Sequence, residues 1–71
     1  MGAAAGIKAI IDQKGLRQKN VAQKAHFTEQ QFSDMLNGRK TIRADYLPDI
    51  ASALGVSIGE IFDAGAKHAD E

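Results

Sequence analysis

The chain predicts an all-α fold, with five short helices around one core. Three observations lead there. Apolar residues recur at i, i+3 and i+4 in segment after segment, and no alternating stretch runs longer than a few residues. Good helix starters, Thr28 and Ser57, and helix-ending glycines, Gly15, Gly38 and Gly55, bracket those segments. The connections are short and no internal repeat is visible, so successive helices pack on one another.

Ile7, Ile10 and Ile11 give the first helix its apolar stripe. Ala3 to Ala5 favour extending it backwards, Gly6 weakens that extension, and Gly15 ends it. Leu16 turns inward. The second helix spans Gln18 to Ala25, with Val21, Ala22 and Ala25 on its buried side. The small residues at 22 and 25 let a neighbouring backbone approach. Arg17 stands at its N-cap, where Arg is a poor choice. His26 and Phe27 form the turn. Thr28 caps the third helix, with Gln31 completing a capping box, and Gly38 ends it. Phe32, Met35 and Leu36 face the core, which leaves Gln30, Ser33, Asp34 and Asn37 on the other side. Arg39 to Arg43 is a basic loop anchored by Ile42. Asp45 is expected to cap the fourth helix, since Pro48 is tolerated only in a first turn. Leu47, Ile50, Ala51 and Leu54 line that helix and Gly55 closes it. Ser57 and Glu60 open a short fifth helix that buries Ile58, Ile61 and Phe62. The domain is expected over residues 3–63. Residues 64–71 are expected to fray as a flexible tail or lead into a longer protein.

Seventy-one residues make one domain, with 44% apolar and 25% charged residues, ordinary for a globular chain. There is no cysteine, so neither disulfide nor thiolate metal site contributes. No apolar run approaches the roughly 20 residues that span a bilayer, and the N-terminus does not read as a signal peptide or a myristoylation motif. A cytoplasmic protein is the expectation. Net charge is zero and pI about 6.7, whereas nucleic-acid-binding domains usually exceed roughly 9. The distribution says more than the total. Residues 1–43 hold eight basic against three acidic residues, a net of +5. Residues 44–71 hold one against six, a net of −5.

Catalysis finds little support. His26 lies in a turn without a carboxylate or thiol at ligand spacing, and His68 lies in the tail. No nucleophile elbow, phosphate loop, HExxH or paired-cysteine pattern occurs, so neither enzyme activity nor a cofactor is expected. A helix-turn-helix makes different demands, which residues 18–38 meet. Its second helix enters a groove about 12 Å wide and needs polar side chains that reach base edges. Gln30 offers a bidentate amide to adenine, Ser33 is adaptable, and Asn37 bonds phosphate or base. Glu29 and Asp34 accept from the cytosine amino group. Thr28 and Gln31, at the same helix start, are expected among the DNA-binding residues too. Gln18 presents an amide and free backbone N–H groups to phosphate. Arg39, Lys40 and Arg43 supply sequence-independent attraction. Periodicity alone is weaker: a polar face is what any small helical protein shows to solvent. Two carboxylates on that face also repel phosphate.

Leu16, Gln18, Val21 and Ala22, then FTEQQFSDMLNGRK (27–40), then LPDIASALGVSIGEIF (47–62), resemble the lambda-repressor-like, Cro/C1-type helix-turn-helix family, also called the XRE family. The resemblance covers about residues 7–62. It implies a five-helix domain that binds a near-palindromic operator in double-stranded DNA as a homodimer, with the third helix in the major groove. By motif position, Gln18 and Asn37 would touch phosphate, Glu29, Gln30 and Asp34 would lie over base edges, and Arg39, Lys40 and Arg43 would line the backbone. Four positions depart from the pattern. Arg17 replaces a Ser, Thr or Asn cap, and His26 replaces the Gly of a left-handed turn. Glu29 and Asp34 stand where Gln, Arg, Lys or Ser is more usual.

The expected function is a sequence-specific transcriptional regulator, a repressor, that dimerises through its acidic and apolar C-terminal part around Phe62. The alternative is a protein-interaction module on the same fold, such as an antitoxin or regulatory subunit, for which Glu29 and Asp34 speak.

Overall fold

The computed structural model describes residues 2–69, with side chains as far as Lys67. Met1, the last two residues and the side chain of His68 lie outside that range, as does the part of the expected tail that they form. The described residues form five α-helices and no strand: α1 Ala3–Lys14, α2 Gln18–Lys24, α3 Glu29–Leu36, α4 Leu47–Leu54 and α5 Ile58–Ala69, with a 3₁₀ turn at Ala44–Tyr46. None of these helices is long and apolar enough to cross a membrane.

The first four helices stop by one device. One or two residues past each helix the chain takes a left-handed conformation: at Gly15 (φ 66°) and Gly55 (74°) directly after α1 and α4, and at His26 (70°) and Gly38 (79°) one residue later after α2 and α3. Two backbone N–H groups then fold back onto the last turn. Leu16 donates to Ile11, Phe27 to Ala22, Arg39 to Asp34 and Val56 to Ala51, with the preceding residue bonding inside each loop. This is the Schellman arrangement, which satisfies carbonyls that would otherwise lack partners. It also reverses the chain within two or three residues, so 71 residues accommodate five helices.

The core is built from Ile7 and Ile10 of α1, Val21 and Ala22 of α2, Phe32, Met35 and Leu36 of α3, Ile50, Ala51 and Leu54 of α4, and Ile61 of α5. Leu16, Phe27, Ile42 and Tyr46 pack on its margin. α1 and α5 share the most extensive contact, while α2 packs on α3 and α4. Gly6 is decisive for the first of these. A Cβ there would overlap the Ile61 carbonyl oxygen and sit 3.1 Å from the Gly65 nitrogen. A Cβ on Gly65 would lie 2.5 Å from the Gly2 carbonyl oxygen. The two helices cross backbone to backbone, and both glycines are buried.

That crossing corrects three expectations. The fifth helix does not end near Asp63. It continues to Ala69, because Gly65 and Ala64 still pack on α1 and the core. Nor does it bury all of Ile58, Ile61 and Phe62. Ile61 is fully buried, but Ile58 is 38% and Phe62 45% exposed. α1 and α4 cover the line through Ile61 and Gly65, and the adjacent line through Ile58 and Phe62, spaced i and i+4, stays open. Gly6 itself does not merely weaken α1; it permits the crossing.

The start of α4 is the other difference. Asp45 does not cap it. Tyr46 N–H donates to Arg43 O at 3.0 Å, closing a 3₁₀ turn that leads directly into Leu47 and Pro48. The Asp45 carboxylate stands 3.7 Å from the Arg43 guanidinium instead. The capping box of α5 forms as expected, with Ser57 N–H to Glu60 Oε1 at 3.2 Å and Glu60 N–H to Ser57 Oγ at 3.1 Å.

Candidate nucleic-acid interface

The placement of α3 begins with α2. Arg17 is extended and makes no side-chain cap, so the first turn of α2 keeps free N–H groups and the Arg17 side chain stays in solvent. Left-handed His26 then turns the chain, and Thr28 starts α3 three residues after Ala25. Its hydroxyl accepts from Gln31 N–H at 3.1 Å, and Gln31 Oε1 accepts from Thr28 N–H at 2.9 Å. This reciprocal pair is the expected capping box. Phe27 fixes the turn from the inside. Its ring is near-parallel to Phe32, with centroids 6.4 Å apart, and edge-on to Tyr46 at 5.0 Å. Aromatic pairs favour these offset and edge geometries. The turn, α3 and the approach to α4 are thereby one packed unit.

With Phe32, Met35 and Leu36 inward, the other side of α3 is left to solvent. Glu29, Gln30, Gln31 and Asn37 are exposed, and Ser33 and Asp34 half-buried. Four of these side chains bond to one another in pairs. Gln30 Nε2 donates to Asp34 Oδ1 at 2.9 Å. The Arg39 guanidinium lies 3.9 Å from the same oxygen. Asn37 Nδ2 donates to Ser33 Oγ at 3.3 Å. Thr28 and Gln31 are engaged by the cap, though the Thr28 O–H and the Gln31 amide N–H groups remain as donors.

The cations sit at the far end of this face. The backbone N–H groups of Arg39 and Lys40 both bond to Asp34 O, at 2.8 and 3.2 Å, so the loop curls over the end of α3. Arg39 and Lys40 are exposed there. Arg43, further along, is exposed and set against Asp45. At the near end, half-buried Gln18 joins Arg17, Lys19, Asn20 and Glu29 around a shallow surface concavity. Arg17, Lys19 and Asn20 were not among the DNA-binding residues expected from the sequence. Their signal was Arg17 itself: a residue unable to cap leaves its charge outside the helix start. The structure thus groups Gln18 with Glu29, Gln30 with Asp34 and Arg39, and Ser33 with Asn37. Arg43 stands apart.

A family model for the Cro/C1-type HTH DNA-binding domain matches residues 6–67. The chain belongs to that family. The match takes in α1 to α5 almost entirely, so the Cro/C1-type domain includes the α5 turns beyond Asp63. The fold is also similar to that of the clp gene regulator ClgR from C. glutamicum. The TM-score is 0.84 at 21% identity, over 93% of this chain and 86% of that one. At such identity the likeness speaks for the fold alone.

Proposed function

We propose that this domain is a sequence-specific transcriptional regulator, a repressor that reads operator DNA in the major groove through α3. One observation carries the reading. The outward side of α3 presents amide, hydroxyl and carboxylate groups between two sets of cations, Arg17 and Lys19 at one end and Arg39 and Lys40 at the other. Side chains of that kind reach base edges, while the flanking cations hold phosphates. Asp34, a difficulty for the sequence reading, weighs less here, because the Arg39 guanidinium lies 3.9 Å from its carboxylate. ClgR, similar in fold, is itself a gene regulator, which points the same way.

The operator is a near-palindrome read by a homodimer. The longest extent of the fold is 30 Å, shorter than the about 34 Å between successive major-groove faces. A second copy reaches the second half-site. Ile58 and Phe62 give it an apolar contact. Phe62 lines a shallow groove with Ala3, Ala5, Ile42 and Leu47, which extends to Lys40 in the loop after α3.

Glu29, exposed in the first turn of α3, favours a second reading: a protein-interaction module with weak or no DNA binding. Selection of bound sites from a random duplex pool at physiological salt tests the two. A DNA reader enriches a near-palindromic site, and its affinity falls steeply with salt. Gln30→Ala then costs about 1–3 kcal/mol at one base-pair position and relaxes preference there. A reporter whose promoter overlaps the enriched site falls silent when a repressor is supplied. If no site is enriched and retention on DNA is insensitive to salt, the second reading replaces the first.

A further inference from the structure

A primary amide turned over by 180° exchanges its donor for its acceptor. Which way Gln30 faces therefore decides which base it suits. The neighbour that settles this is Asp34, one turn along α3, whose Oδ1 receives Gln30 Nε2 at 2.9 Å. A carboxylate only accepts hydrogen bonds. Turned over, the amide would set Oε1 against a carboxylate oxygen, two acceptors in contact. The Arg39 guanidinium, 3.9 Å from the same oxygen, partly offsets the repulsion of phosphate by that carboxylate.

Gln30 thus spends one N–H on Asp34. One N–H and the Oε1 lone pairs remain for a partner. A donor beside an acceptor matches adenine in the major groove, which offers the N7 acceptor and the N6 amino donor. Guanine offers two acceptors, O6 and N7. An unrestrained Gln30 serves those with both N–H groups; one held by Asp34 cannot. Resting on the major-groove reading proposed above, we infer that Asp34 is a positioning residue, which holds the Gln30 amide so that α3 takes adenine and refuses guanine at one base pair of each half-site. Asp34 then acts through Gln30 and not by accepting from a cytosine amino group.

The test is base preference, measured by bound-site selection and by competition between duplexes that differ at single positions. It uses the intact chain and the variants Gln30→Ala, Asp34→Ala and Asp34→Asn, each checked for helical content. Gln30→Ala locates the position by abolishing its adenine preference. At that position alone, Asp34→Ala lowers adenine-over-guanine discrimination about tenfold. Asp34→Asn lowers it as well, since an Asn amide can face either end of Gln30. Discrimination unchanged in both Asp34 variants overturns the inference and leaves α3 as the reader. So does a uniform rise in affinity for every duplex, the mark of a purely electrostatic role. If the adenine preference survives Gln30→Ala, Gln30 does not read it and the inference fails; if the wild-type chain enriches no duplex, the major-groove reading fails and the inference fails with it.

Discussion

His26 holds a φ of 70° in the middle of the helix-turn-helix, at the position where α1, α3 and α4 each use glycine. A non-glycine residue in the left-handed region is strained by contact between its Cβ and the following carbonyl oxygen. His is among the residues that bear this better than most, and a β-branched one bears it worst. Two effects oppose each other on replacement by glycine. The strain, of order 1–3 kcal/mol, is relieved, and the unfolded chain gains freedom worth about 0.4–1 kcal/mol. The first is the larger. His26→Gly is expected to stabilise the domain by about 0.5–1 kcal/mol, read as a raised urea midpoint with an unchanged slope. His26→Val should lower the midpoint. The turn was legible from the residue types because its geometry is local. What the sequence did not show is that its bonds repeat those of the three glycine-ended helices.

Among elements, the contact of α1 with α5 is the most demanding. Ala is a better helix former than Gly by about 1 kcal/mol, so propensity alone makes Gly6→Ala stabilising. The space at Gly6 says the reverse, since a Cβ would meet backbone atoms of Ile61 and Gly65 that have no rotamer to adopt. Forcing the helices apart costs about 1–3 kcal/mol or more, and the variant should lose that in thermal or urea unfolding. This sets the boundary of what the sequence revealed. Apolar stripes, both capping boxes and the left-handed stops were readable because each depends on residues within one or two turns. The burial of Gly65, the exposure of Ile58 and Phe62 and the length of α5 depend on where α1 lies, and no spacing within α5 encodes that. The candidate site divides likewise. The i, i+3, i+4, i+7 face of α3 was visible. The bond between Gln30 and Asp34 needed rotamers, and the grouping of Arg17, Lys19 and Asn20 with Glu29 needed the angle between α2 and α3.

Across the whole molecule, charge and apolar surface are divided by region. All the cations but Lys67 belong to the first 43 residues, and most carboxylates to the remainder. A net charge of zero thus conceals a basic side for phosphate. Arg43 pairs with Asp45 at 3.7 Å, but both side chains are largely in solvent, where such pairs contribute little. Arg43 remains available to DNA. Lys40→Ala combined with Arg43→Ala should weaken binding to every sequence alike and flatten the dependence of log affinity on log salt by roughly two. Phe62→Glu puts a charge into the apolar groove without disturbing the core, since Phe62 is 45% exposed. Sedimentation should find it monomeric where the wild-type chain self-associates, with helical content kept and operator affinity reduced. The edge-on approach of Tyr46 to Phe27 also matters for such measurements. The chain has one tyrosine and no tryptophan, so its near-ultraviolet fluorescence and dichroism come chiefly from a single ring beside the turn that carries α3. Titration with DNA can thus be followed from the domain's own optical signal, without a dye, at the joint whose rigidity the reading helix needs.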